Sequence, residues 1–202
     1  MLMGLAFEKL RRKTANEHIL ELNKIWSKIY HTIGIKEVPG DEILRFSATL
    51  RYRTRLSRPL AAEESIDYYR KLCSDNAADT LEISRWILLV AKKLRQIYSN
   101  HRLSGVTEIA QARLLALSIM LNEQWNEEQK RIALEEWEKV TFRIYGLARK
   151  DARTKVGEYT RLAYHINNAS HEPEAVERAI ARIGSLGREK EYHIDNVVES
   201  LR

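Results

Sequence analysis

The sequence predicts an all-α chain, a compact multi-helix bundle of about eight or nine helices with no sheet. The composition is 44% hydrophobic and 31% charged, with only 8 Gly and 3 Pro in 202 residues. Disordered chains lack that much apolar surface, and β-sandwiches need more turn residues. Apolar residues also recur three and four positions apart in window after window, which marks one buried helical face in each. The breaks between these windows are short, and no solenoid-period repeat or low-complexity tract interrupts them. A single helical domain over residues 1–202 is therefore the simplest architecture, long enough to bury a core.

In chain order, "TANEHILELNKIWSKIYHTIG" opens with Thr14 and Glu17 at capping-box spacing and closes at Gly34. Its Ile19, Leu22, Ile25, Trp26 and Ile29 form one apolar stripe. "VPG" breaks the chain, and Asp41 is the expected N-cap of "EILRFSATLRYRTRL". "SRPL" at 57–60 separates that helix from "AAEESIDYYRKLC", and the polar loop 74–79 supplies the next cap. "TLEISRWILLVAKKLRQIYSN" places Ile83, Trp86, Val90, Leu94 and Ile97 on one stripe, and Gly105 ends the region. "VTEIAQARLLALSIMLNEQW" is apolar nearly all round, interrupted by Glu108, Gln111, Arg113, Ser118 and Asn122. Such a helix belongs at the centre of a bundle. "NEEQKRIALEEWEKVTFRIYG" follows, capped by Asn126, with Ile132, Trp137, Val140 and Ile144 expected inside. The remaining helices are expected over "DARTKVGEYTRLAYHINN", over "PEAVERAIARIGSLG" with Pro173 near its start, and from about Ile194-Asp195.

Several function classes find no support. The single cysteine, Cys73, excludes an internal disulfide and a cysteine-based zinc cluster. The six histidines form no HExxH or Cys/His cluster, so no metal is expected. The glycines of "SLGREK" and "RIYGLARK" stand alone, without the spacing of a phosphate loop. There is no GxSxG elbow, and acid pairs such as Glu135-Glu136 lie on a charged helix beside Trp137. "VTEIAQARLL" has the look of half a helix-turn-helix, but "ALSIMLNEQW" is apolar where a recognition helix must be polar. No catalytic residue and no cofactor are expected. The opening "MLMGLAFEKLRRK" has its apolar residues before its basic ones, the reverse of a secretory signal. The most apolar helix, at about 14 residues, is too short to span a bilayer. A cytoplasmic protein without a membrane partner is expected, its oligomeric state open.

Charge supplies the one positive indication. The net charge is +6, yet residues 45–58 carry +5 through Arg45, Arg51, Arg53, Arg55 and Arg58 without an acid. Residues 142–166 carry six positive and two negative charges, among them Arg149, Lys150, Arg153 and Arg161. These two segments sum to +9, so the rest of the chain sums to −3. At roughly 100° per residue, Arg153 and Arg161 project within about 80° of each other. Ala152, Val156, Tyr159, Ala163 and Ile166 fall opposite, and Lys155 lies near the apolar edge, where its stem can pack and its ammonium reach water. Such a face either contacts nucleic-acid phosphates, which gives salt-dependent affinity without sequence preference, or is solvated and paired to acids such as Asp151 and Glu158.

"WEKVTFRIYGLARKDARTKVGEYTRLAYHI" and "GDEILRFSATLRYRTRLSRPL" resemble the helical region of GmrSD-type restriction endonucleases, bacterial anti-phage proteins that attack modified DNA. The resemblance runs from about residue 5 to the end. It implies a fragment or middle region of a longer protein, between a ParB-like N-terminal domain and an HNH nuclease region. The Asp-Gly-Gln-Gln-Arg motif of the former is absent, and "HEPE" at 171–174 does not match the His-Ile-x-Pro-Gln motif of the latter. What the resemblance implies is therefore a non-catalytic helical domain that links and positions the functional domains of its own protein, with DNA as a further partner. Arg45, Arg51, Arg53, Arg55, Arg58, Arg149, Lys150, Arg153 and Arg161 are the candidate phosphate contacts. A helical protein-interaction scaffold that binds no nucleic acid is the alternative.

Overall fold

Nine α-helices, one π-helical turn and one 3-10 turn make up the described chain, which has no strand among the described residues. The structure is a computed structural model that describes residues 16–34, 38–73, 77–104 and 108–192. Thr14, Gly105 and the segment from Ile194 lie outside those residues. The chain divides into two compact units, one of residues 1–52 and 59–98, the other of 53–58 and 99–202.

In the first unit, α1 (Asn16–Ile33) buries Leu22, Ile25, Trp26 and Ile29, whereas Ile19 is only half-buried. Gly34 ends α1 in the left-handed region at φ 61, donating its N–H to the Tyr30 carbonyl. Helix α2 (Gly40–Arg51) starts one residue before the expected cap. Pro39 stands at the N-cap with φ −63, and Asp41 falls inside the first turn. The proline ring fixes that φ, so the backbone enters the helix without a capping side chain. Helices α3 (Ala62–Leu72) and α4 (Ala77–Ser99) complete the unit. Because α4 begins at Ala77, Asp79 of the expected loop lies in its first turn.

Polar side chains stitch this unit together. The buried Ser47 accepts from the Tyr69 hydroxyl at 2.8 Å, and its carbonyl accepts from Trp86 Nε1 at 3.0 Å. Thr49 Oγ1 accepts from the Leu60 amide at 2.9 Å. Tyr98 donates to Glu42 Oε2 at 2.6 Å, which keeps that buried carboxylate bonded.

The second unit is built on α6 (Ala110–Leu121), reached through the short α5 (His101–Ser104). Three of the interrupting polar residues, Gln111, Ser118 and Asn122, are buried, whereas Glu108 is exposed and Arg113 half-buried. Gln111 Nε2 donates to the Ala152 carbonyl at 2.8 Å, and Asn122 Nδ2 donates to the Ile166 carbonyl at 2.6 Å. A helix apolar all round can still choose its neighbours and register through such bonds. Helix α7 (Glu127–Thr141) starts at the expected Asn126, whose side chain accepts from Gln129 N at 2.8 Å in a capping box. Trp137 is fully buried and donates to the Ala112 carbonyl at 3.0 Å.

Two expectations in this unit are corrected. Ile132 is 39% exposed, because the buried face of α7 is centred on Ala133, Trp137 and Val140. At roughly 100° per residue, Ile132 falls about 140° from Trp137. The helix expected over 151–168 begins only at Val156: α8 spans Val156–Asn167, and Ala152 is exposed in the preceding turn. That turn is held by Asp151, whose Oδ1 accepts from Arg153 N at 2.8 Å and Thr154 N at 3.1 Å. Such side-chain bonds offer the backbone an alternative to helix. Between α7 and this turn the chain forms a π-helical turn, Phe142–Leu147. Helix α9 (Pro173–Ser185) starts on Pro173 as expected, and a 3-10 turn follows at Lys190–Tyr192.

Candidate anion-binding cleft

The nine sequence-predicted cations separate into three situations. Arg45 and Arg51 are occupied within the first unit. Arg45 Nε donates to the Leu60 carbonyl at 3.0 Å and lies 4.0 Å from Asp41. Arg51 pairs with Glu82 at 2.6 Å and lies over the Trp86 ring, 5.9 Å from its centroid. The other seven belong to the second unit.

Of these, Arg53, Arg58, Arg149 and Arg153 are exposed. The Arg53 carbonyl accepts from the Tyr164 hydroxyl at 3.4 Å, which ties the 53–58 segment to α8. Arg149 holds a left-handed backbone, φ 50, where the π-helical turn ends. Lys150 lies over the Tyr192 ring, 5.9 Å from its centroid, which leaves its charge at the edge of the exposed set.

The remaining two, Arg55 and Arg161, meet in a cleft of about 450 Å³. Its walls come from three separate stretches: the 53–58 segment, α8 with the residue before it, and α9 with the residues after it. They bring in Lys155, His165, Arg182 and two acids, Glu158 and Glu189. Among the described residues the guanidinium groups of Arg55, Arg161 and Arg182 make no ion pair. Arg161 lies along its own helix over Gly157, where an added Cβ would come within 2.8 Å of Nη1. Gly157 thus leaves room for the guanidinium to lie flat against α8.

Lys155 plays a different part. Its side chain is only 9% exposed, it pairs with Glu189, and its Nζ lies 5.3 Å from the centroid of the buried Tyr192 ring. Its backbone is left-handed at φ 57, at the N-cap position of α8. A non-glycine residue in that region costs about 1 kcal/mol. The expectation that its stem packs at the apolar edge holds, but its ammonium meets a carboxylate and an aromatic face.

Partial burial holds His165 below the usual histidine range, and the charges of Arg55 and Arg182 push it the same way. These surroundings favour a neutral imidazole, which can donate one hydrogen bond and accept another.

Sequence reasoning missed Arg182, His165 and the fixed role of Lys155. Residues 173–187 hold two acids and two arginines, so no local charge excess marks Arg182. The only available signal was its place on the polar side of an amphipathic α9.

Elsewhere, the first unit carries an apolar groove of about 270 Å³ lined by Trp26, Ile29, Tyr30, Ile43, Leu44 and Ile87, among others. Among the described residues no group of three or more His, Cys, Asp or Glu is placed to hold a metal ion. No described helix is long and apolar enough to cross a membrane. No family model matches the chain, and neither a curated protein nor a solved structure does.

Proposed function

We propose that the chain is a non-catalytic helical module that contacts nucleic-acid phosphates through the basic face of its second unit. The observation that carries this reading is the convergence of Arg55, Arg161 and Arg182, without ion pairs among the described residues, on one cleft. The exposed Arg53, Arg149 and Arg153 belong to the same unit. Arginine suits the task, because its planar fork matches phosphate geometry and its charge persists at any physiological pH. The described residues offer no convergent nucleophile, base and oxyanion donors, so binding is a better-supported role than turnover.

The wider setting rests on the resemblance to GmrSD-type restriction factors alone. In that setting the module acts in the cytoplasm, linking and positioning the remaining domains of its own protein while gripping DNA.

Fluorescence anisotropy with a short labelled duplex, at low and physiological salt, tests the reading. Affinity should fall steeply with salt, by about 0.9 in the log–log slope for each phosphate contacted. Replacing Arg149 and Arg153 with Gln should flatten that slope, whereas replacing Arg45 and Arg51 should leave it unchanged. Absence of binding at low salt would instead leave a protein-interaction scaffold.

A further inference from the structure

We infer that the cleft between the 53–58 segment, α8 and α9 is a subsite for a phosphate monoester dianion, such as the terminal phosphate of a nucleic-acid strand or a nucleotide. The inference deepens the reading of the second unit as a phosphate-binding surface, and rests on it only for the choice between those two sources.

Charge selects the ligand class. Arg55, Lys155, Arg161 and Arg182 contribute +4 to the cleft and Glu158 and Glu189 contribute −2, leaving +2. A phosphate monoester carries about −1.5 to −2 at neutral pH. A phosphodiester within a strand carries one charge and sits in an unbroken row, which exposed cations outside the cleft, such as Arg149 and Arg153, can meet. A three-walled concavity suits a group that projects, and a chain end projects.

Geometry agrees with charge. Lys155 and Glu189 neutralise each other against Tyr192 and form a fixed part of the wall, so the excess resides in three guanidiniums. Each comes from a different stretch of chain, so they can approach one phosphate from different sides, with paired N–H donors. The buried Leu162 and Leu186 also line the cleft and exclude water from one side, which strengthens each contact. At about 450 Å³ the space exceeds a phosphate alone and admits the attached sugar.

His165 reports occupancy. The charged groups that line the cleft with it are Arg55, Arg161, Arg182, Lys155, Glu158 and Glu189, and Arg178 lines the adjoining hollow. Partial burial, and after it the charges of Arg55 and Arg182, depress its titration. A bound dianion would offset them, so the imidazole should titrate at higher pH when the site is filled.

Two measurements on the full chain decide the matter. First, the His165 ring is followed by NMR against pH, with and without inorganic phosphate or adenosine monophosphate. The midpoint should rise with either, and should not rise with chloride at equal ionic strength. Second, anisotropy compares one duplex with and without a 5′-phosphate. The phosphorylated form should bind about tenfold more tightly, the scale of a lost charge-assisted bidentate contact.

Arg182→Gln and Arg55→Gln should each abolish both effects while circular dichroism stays unchanged. Arg149→Gln with Arg153→Gln should weaken both duplexes equally and preserve the preference. A His165 midpoint unmoved by phosphate, together with equal binding of the two duplexes, overturns the subsite even if salt-dependent DNA binding remains. A phosphate preference that survives both cleft variants overturns it too. A midpoint that rises with adenosine monophosphate while neither duplex binds upholds the subsite with a nucleotide as its source, and sinks the nucleic-acid reading.

Discussion

Asn122 does the work of four groups. Its Nδ2 donates to the Ile166 and Ala169 carbonyls, and its Oδ1 accepts from the Gln124 and Trp125 amides. Asn122→Ala should lower stability by about 2–3 kcal/mol, the cost of leaving buried backbone groups unpaired, read from the denaturant midpoint. The two left-handed cations should behave in opposite ways. Arg149 is exposed, so Arg149→Gly relieves its backbone and should stabilise by about 1 kcal/mol while weakening DNA binding. Lys155→Gly relieves the same conformation but strands Glu189 and uncovers Tyr192, and should destabilise. His165 adds a pH effect. Its folded midpoint lies below the ordinary histidine value, so the unfolded chain binds the extra proton between those two limits. Stability should therefore rise with pH across that window and level off above it. His165→Gln should remove this rise in thermal melts taken at a series of pH values.

The helices show which features of structure were legible in sequence and which were not. The sequence announced the boundaries set by Asn126, whose side chain caps α7, by Pro173, which starts α9, and by Gly34, whose left-handed backbone closes α1. Other boundaries it did not announce. Pro39 displaced Asp41 as the start of α2, Asp151 held residues 151–155 in a turn, and the continuous helix expected through Gly146 became π-helical after Thr141. A π-turn adds one residue to a helical ring, and the spacing of apolar residues scarcely registers it. The face of α7 was readable except at its margin, where Ile132 meets solvent. Trp137 anchors α7 against α6 with a fully buried ring and an indole bond to Ala112. Trp137→Ala should cost about 3–5 kcal/mol in chemical denaturation, whereas Ile132→Ala should cost well under 1 kcal/mol.

For the molecule as a whole, the all-α architecture was evident from composition and periodicity, and the cleft was not. Arg55 and Arg161 were singled out, but in two different basic segments, and Arg182 sits in a stretch with no net charge. Only folding collects them, since charge counted along a chain cannot see residues more than a hundred positions apart. The exposed Arg53–Arg58 segment also offers a test of occupancy. If a dianion fills the cleft, inorganic phosphate should slow tryptic cleavage after Arg55 relative to cleavage after Arg102, monitored by mass spectrometry at fixed ionic strength. That hexapeptide lies in the chain between Tyr52 and Pro59 of the first unit, yet it belongs to the second. No single crossover can therefore pass the second unit intact to another gene: residues 99–202 transplanted alone would arrive without Arg55 and without the carbonyl that receives Tyr164. Shuffling of this fold by recombination is constrained to move both units together, or to leave the cleft behind.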